Sequence, residues 1–324
     1  KRGVIQIVTP GTVTSRAMLK ENENNYLASV YLDKDGMSVS YCDISTGELY
    51  TTEKNTGSNL IEDLINELVK ISPKEIIINE GFVELCDEDE IKAYTDAFVH
   101  AMPNSYYSKK AAETSIKAQF GHISMTALGI DGRHFCILSI GALLAYLLET
   151  QKQNLKQLTR CQFYEIGNHM ALDKATIRNL EITETLYDKN VQGSLLGILD
   201  KTNTAMGGRK LKQWLREPLN SSVEINDRLD AVEELVNQPM VLNNLCEGLK
   251  HVYDFERLAG RIASGNANGK DLIALRNSIG ILPDVKETLG YAASGLLTQL
   301  SSDICDLKEV FDLINDSISE EPPF

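Results

Sequence analysis

Asp43 stands in Tyr41-Cys42-Asp43-Ile44-Ser45, near the end of a strand-like run, and has more chemistry open to it than most residues of this chain. A strand aspartate can join other carboxylates in holding two Mg2+ ions, which stabilise both oxygens of an in-line phosphoryl transfer. Such a metal-dependent nuclease needs at least two more carboxylates at the same sheet edge. Glu75, Glu80 and Asp131 are the candidates, and none has a distinctive local signature. The competing reading is an aspartate that accepts backbone N–H groups of the turn Ser45-Thr46-Gly47, and the turn chemistry favours it.

Two glycine loops invite a phosphate-binding reading, because a glycine loop that opens a helix can cradle anions. They are Thr204-Ala205-Met206-Gly207-Gly208-Arg209-Lys210 and Gly265-Asn266-Ala267-Asn268-Gly269-Lys270-Asp271. Neither fits G-x-x-x-x-G-K-[ST]. The second has one residue too few between its glycines, and Asp271 replaces the Mg2+-binding hydroxyl with a group that repels phosphate. Both are expected to be helix starts. Gly207 and Gly208 then permit close packing, and Leu211, Trp214 and Leu215 share one helix face. The single tryptophan is expected to be a buried anchor. Arg257 and Arg261, four apart on one helix, could contact phosphate or pair with acids such as Glu256.

The six cysteines and five histidines are scattered, with no metal-ligand spacing and no CxxC pair, so core thiols are expected. Neither catalytic, cofactor-binding nor metal-binding residues are assigned. The charge of −14, from 46 acids and 32 bases, argues against a strongly DNA-binding surface. The longest apolar run, 135–148, is too short to span a bilayer and contains Ser139 and Gly141. Lys1-Arg2-Gly3 leads into a β-like run and not a signal sequence. A cytoplasmic protein with no membrane partner is expected.

The elements that position these residues divide in two. Strands are expected over 26–32, 37–44 and 48–53. Asp35-Gly36 is a tight-turn signal, and spacing this short demands an antiparallel meander. Apolar residues at three- and four-residue spacing predict a helix over 58–71, ended by Pro73. The all-apolar core of 75–79 suits a strand covered on both faces, and a long helix over 135–153 closes the domain. This β-β-β-α-β order is that of a ribonuclease H-like fold. After an extended stretch over 155–172 the chain is helical. One helix opens at Ser221 with capping-box spacing, carries Ile225, Leu229, Val232, Leu235 and Val236 on one face, and stops at Pro239. Another is capped by Asp254, with Phe255, Leu258 and Ile262 inward. A third has Asp271 in its first turn and ends at Pro283, and 296–318 forms the last helical stretch.

Many short motifs, in order along nearly the whole chain, resemble the MutS family of DNA mismatch repair proteins. Thr9-Pro10-Gly11-Thr12 resembles the segment leaving the mismatch-binding domain. Asp43-Ile44-Ser45-Thr46-Gly47 resembles the connector's D-[IL]-S-T-G motif, and Gln119-Phe120-Gly121 a connector helix. Residues 170–182, 193–200, 204–215 and 217–219 are similar to the entry and the most characteristic stretch of the core; 228–232, 254–258 and 271–272 follow in family order.

The resemblance implies an α/β fold followed by an all-α one. A linker covers 1–16, a ribonuclease H-like connector 17–153, and an incomplete, mostly helical core or lever domain 154–324. It also implies a noncatalytic scaffold cut from a longer protein whose mismatch reader, clamp and ATPase lie elsewhere. ATP and Mg2+ would belong to that protein, as would mismatched double-stranded DNA, a homodimer partner and a MutL-type partner. Glu113, Thr114 and Ser115, just before Gln119, are the expected MutL surface, while Asp43, Gly47, Gly207, Gly208 and Trp214 are expected to be structural.

Overall fold

A computed structural model describes residues 7–55, 59–121, 123–152 and 155–322. The readings that touch Lys1-Arg2-Gly3, Ser58, His122 and Gln153 lie outside them. Contacts group the chain into a sheet unit, 1–167 with 171–195, and a helical unit, 168–170 with 196–324.

In the sheet unit, β1 (Tyr26–Leu32), β2 (Gly36–Asp43) and β3 (Glu48–Asn55) form the antiparallel meander, joined by turns at Asp33–Gly36 and after Asp43. Asp33 shapes the first turn by accepting the N–H groups of Asp35 and Gly36 at 2.8 and 3.0 Å. α1 (Leu60–Ile71) ends at Ser72, which takes a left-handed conformation before Pro73. It leads to β4 (Glu75–Asn79), fully buried and parallel to β1. α2 (Glu88–Tyr94) precedes β5 (Phe98–Met102), parallel to β4. α3 (Lys109–Phe120) and α4 (His134–Gln151) follow, and β6 (Gln162–Phe163) adds to β3 in parallel. The sheet order is β5-β4-β1-β2-β3-β6.

Side-chain alternation splits the sheet between two cores. Leu27, Cys42, Leu49 and Ile77 meet α3 and α4, while Ala28, Val30, Tyr41, Ile76 and Ile78 meet Leu64 and Leu68 of α1. By length and composition α4 could cross a membrane, but most of it is buried in this unit. It settles on the sheet through a buried hydroxyl cluster, with Ser139 Oγ 2.7 Å from Ser38 Oγ and 2.6 Å from Ser40 Oγ. At Gly141 it comes so close to α3 that an added Cβ would lie 2.3 Å from Ala112.

α5 (Lys174–Asn179) still belongs to the sheet unit, and α6 (Leu195–Leu199) leads into the helical unit. That unit contains α7 (Ala205–Arg216), α8 (Ser222–Asn237), α9 (Pro239–Leu249), α10 (Phe255–Ala263), α11 (Gly269–Leu289), α12 (Gly295–Asp303) and α13 (Lys308–Ser317). Its core is small: Ala231, Leu245, Val285, Leu289 and Leu297, with half-buried neighbours.

Several expectations are corrected here. α8 buries Ala231 and leans on Leu235, while Ile225, Leu229, Val232 and Val236 remain 38–65% exposed. The helical period is right and the apolar stripe is real, but among the described residues nothing covers it. Ile262 on α10 is likewise exposed, whereas Leu258 is buried. Pro283 does not end its helix, which continues to Leu289. A mid-helix proline costs roughly 3 kcal/mol; burial of Ile279, Val285 and Leu289 on either side outweighs it. The last helical stretch is two helices, broken where Ile304 turns extended and its carbonyl accepts Lys286 Nζ at 2.7 Å.

Candidate functional site

Asp43 ends β2 with its side chain fully buried, and protein donors occupy both of its oxygens. Oδ1 accepts the Ser45 N–H at 2.8 Å and the Ser45 hydroxyl at 2.6 Å, and Oδ2 accepts the Asn25 N–H at 2.9 Å. It holds the turn through which the chain enters β3. Gly47 completes that turn at φ +82°, where any Cβ would come within 2.6 Å of the Gln157 carbonyl oxygen.

The carboxylates a metal pair would need do not converge. Asp43 is in register with Tyr26, and Glu75 with Leu27, the next residue along β1. Successive strand residues point to opposite faces, so the two carboxylates lie on opposite sides of the sheet. Glu80, in a short 3-10 turn, accepts the Asn104 N–H at 3.2 Å, and Asp131 accepts the Thr126 hydroxyl at 3.1 Å. Among the described residues no three His, Cys, Asp or Glu side chains are placed to hold a metal ion. The geometry gives the nuclease reading no support.

Glu75 has a role that sequence reasoning missed. It is fully buried beneath the Thr9–Thr12 turn and accepts the Thr9 hydroxyl at 2.5 Å, the Gly11 N–H at 2.8 Å and the Tyr146 hydroxyl at 2.5 Å. His100 Nε2 is 3.4 Å away but is not aligned to donate. Burial lowers the His100 pKa against the opposing pull of Glu75. The only signal in the sequence was a glutamate opening a strand whose three central residues are apolar.

Both glycine loops in the helical unit start helices. The Thr204 hydroxyl caps α7 by accepting the Gly207 N–H at 3.0 Å, and a Cβ at Gly207 would crowd Thr204 and Thr202. Gly208 is buried in the same turn. Asn268 and Asp271 form a reciprocal capping box on α11, and Asp271 also pairs with Arg261 at 2.9 Å. These residues do not fit a triphosphate with Mg2+, because the cap hydroxyl and the acidic side chain are already engaged by the protein.

Arg209, buried on α7, forks onto Asp254 at 2.7 and 2.9 Å and reaches Glu256 at 2.5 Å. Glu256 is thus a partner of Arg209, while Arg257 lies 3.9 Å from Asp254 and Arg261 2.9 Å from Asp271, so both arginines pair with acids. Burial alone would raise the Asp254 pKa, but the Arg209 guanidinium overrides it and the net shift is downward. A carboxylate with a depressed folded pKa contributes stability above its unfolded value of about 3.9, and that stability is lost as pH falls through the folded value. The urea midpoint of the wild type should exceed that of Asp254→Asn at pH 5, and the gap should narrow as pH falls below the ordinary carboxylate range. A gap independent of pH would mean that the charge on Asp254 contributes nothing.

Trp214 is not the buried anchor expected. It is 39% exposed, and the Arg228 guanidinium of α8 lies 3.9 Å from its ring centroid. Leu211 and Leu215 are only half-buried. The small core offers no apolar wall to this face of α7, so a cation covers the indole instead, a contact worth about 0.5–1 kcal/mol at an exposed site.

On α3, Ala112, Ile116 and Phe120 pack inward, whereas Thr114 is exposed and Glu113 and Ser115 are half-exposed. Four cysteines, Cys42, Cys86, Cys136 and Cys161, are buried, and burial pushes their thiols up, that of Cys86 to about 11. Cys246 is half-buried and Cys305 exposed, so neither is a core thiol.

Residues 25–159 match the family model of MutS domain II, and residues 175–324 that of MutS domain III. A DNA mismatch repair protein MutS of Alkaliphilus oremlandii is 42% identical over 330 residues, covering 99% of this chain and 37% of the relative. Those of Acetivibrio thermocellus and Clostridium perfringens are both 39% identical, covering 100% and 99% of this chain and 37% and 34% of their own lengths. The chain thus spans little more than a third of the curated relatives it matches. Two consecutive family domains and alignment over nearly all of this chain at this identity lead to one conclusion: the chain belongs to the MutS family and carries its domains II and III.

Proposed function

We propose that this chain is a noncatalytic scaffold within a longer mismatch repair ATPase, its sheet unit a connector and its helical unit the first part of a lever. The supporting observation is the ordered succession of domains II and III over a mixed sheet and then helices. The strand order, with an antiparallel meander beside parallel β4 and β5, supports a ribonuclease H-like connector. The matches at 25–159 and 175–324 support a division into 17–153 and 154–324. Mismatched duplex DNA, ATP with Mg2+, a MutL-type partner and a second copy are assigned to the longer, cytoplasmic protein. The outer face of α3 at Glu113, Thr114 and Ser115 is the surface for the MutL-type partner.

The test is a low-salt titration of this chain with a matched duplex and with one carrying a single mismatch. Weak and equal binding is expected, because a charge of −14 opposes a polyanion. Tenfold tighter binding to the mismatch, about 1.4 kcal/mol, would place the specificity determinants in this chain and overturn the reading.

A further inference from the structure

In the sheet unit a groove of about 650 Å3 lies between the β1–β2 hairpin, the first turns of α1, and α2. Its wall is apolar. Leu60, Ile61 and Ile65 line one side, and Leu85 and Tyr94 face them while 43% and 42% exposed. Its rim carries Asp33, Glu62, Glu90 and Asp173 against Lys34 alone. Glu62 holds only the Asn59 amide at 2.8 Å, and Glu90 only the Cys86 thiol at 3.6 Å, so no cation neutralises either charge among the described residues. Acidic groups around a concave apolar wall focus a negative potential into it.

A third feature narrows the occupant. Asn59 spends its amide on Glu62 and does not cap α1, so the first-turn N–H groups have no side-chain acceptor among the described residues. They suit a carbonyl oxygen. Apolar side chains for the wall, cations for the rim and carbonyls for the helix end occur together in a basic peptide. A polyamine lacks the carbonyls, and DNA carries the wrong charge. The segment that supplies Asp173 is clamped to α2 by Lys174 Nζ, which donates to the Ala93 carbonyl at 2.7 Å beside Tyr94. We propose that this groove docks a basic, apolar peptide segment of a protein partner.

The probe is a fluorescein-labelled dodecapeptide in which lysine alternates with leucine and phenylalanine, titrated into the chain and followed by anisotropy. Saturable binding is expected. The Glu62→Lys/Glu90→Lys double variant should weaken it at least tenfold, and Tyr94→Ala should weaken it too. Asp227→Lys/Asp230→Lys alters net charge equally at exposed α8 positions and should leave affinity within twofold. Equal loss in both double variants, equal binding of the same peptide with glutamate for lysine, or no saturable binding would overturn the proposal. Hydrogen exchange of the unaltered chain supplies a readout that depends on no variant. The peptide should slow exchange at 60–66, 85–94 and 171–179, and protection confined to other segments would also overturn it.

Discussion

Glu75→Ala is expected to destabilise the sheet unit by about 3–5 kcal/mol, the largest effect of any single side chain considered. The substitution removes the acceptor for three donors at once: the Thr9 hydroxyl, the Gly11 N–H and the Tyr146 hydroxyl. A buried donor left without a partner costs about 1–3 kcal/mol. Thr9 can fall back on Thr12, whose Oγ1 is 2.8 Å from its own, so the cost falls mainly on Gly11 and Tyr146. Glu75→Gln should lie between wild type and alanine, because the amide keeps one acceptor but turns a donor toward donors. Urea unfolding followed by far-ultraviolet circular dichroism, with amide exchange at Gly11, is the measurement. A loss below about 1 kcal/mol with Gly11 still protected would show that Glu75 does not hold the Thr9–Thr12 turn.

Gly141→Ala should destabilise by about 2 kcal/mol although alanine is the better helix former. Propensity alone would favour the substitution by about 1 kcal/mol. Packing decides the sign, because the new Cβ would stand 2.3 Å from both Cα and Cβ of Ala112 on α3. Overpacking typically costs 1–3 kcal/mol and more where backbone must move. Ala112→Gly in the same chain should restore only part of the loss, since it clears the Cβ and leaves the Cα in the way. A double-mutant cycle from thermal melts measures this coupling; a Gly141→Ala variant as stable as wild type would mean that α3 and α4 separate freely.

Local signals were most legible where the chain meets itself at short range. The bounds of β1 and β4 agree with the expected stretches 26–32 and 75–79, and Asp35-Gly36 marks the first hairpin. Asp43 was readable as a turn holder because its donors at Ser45 are two residues away. Its donors at Asn24 and Asn25 lie nineteen and eighteen residues back and left no trace in the sequence. β5 and α2 were missed: Phe98–Met102 has an exposed end and no clean alternation, and only its place beside β4 makes it a strand.

The sequence by itself determined the division into an α/β and a helical part, the caps at Ser221 and Asp254, and the ordered motifs that resemble the family. These are contacts within a few residues, and short-range geometry depends little on the rest of the chain. Only the tertiary structure decided which apolar faces are covered, where Trp214 sits, and that Asp43 and Glu75 face opposite sides of the sheet. A helical period states that a stripe exists, but burial requires a second surface, and on α8 none of the described residues supplies it. Pro283 followed the same logic in reverse, since packing on both sides of it outweighed a local preference to stop. The union of Glu75 with Thr9 and Tyr146, 66 and 71 residues away, lies beyond the reach of any local pattern, because only the folding of α4 and the N-terminal turn onto β4 brings the three together.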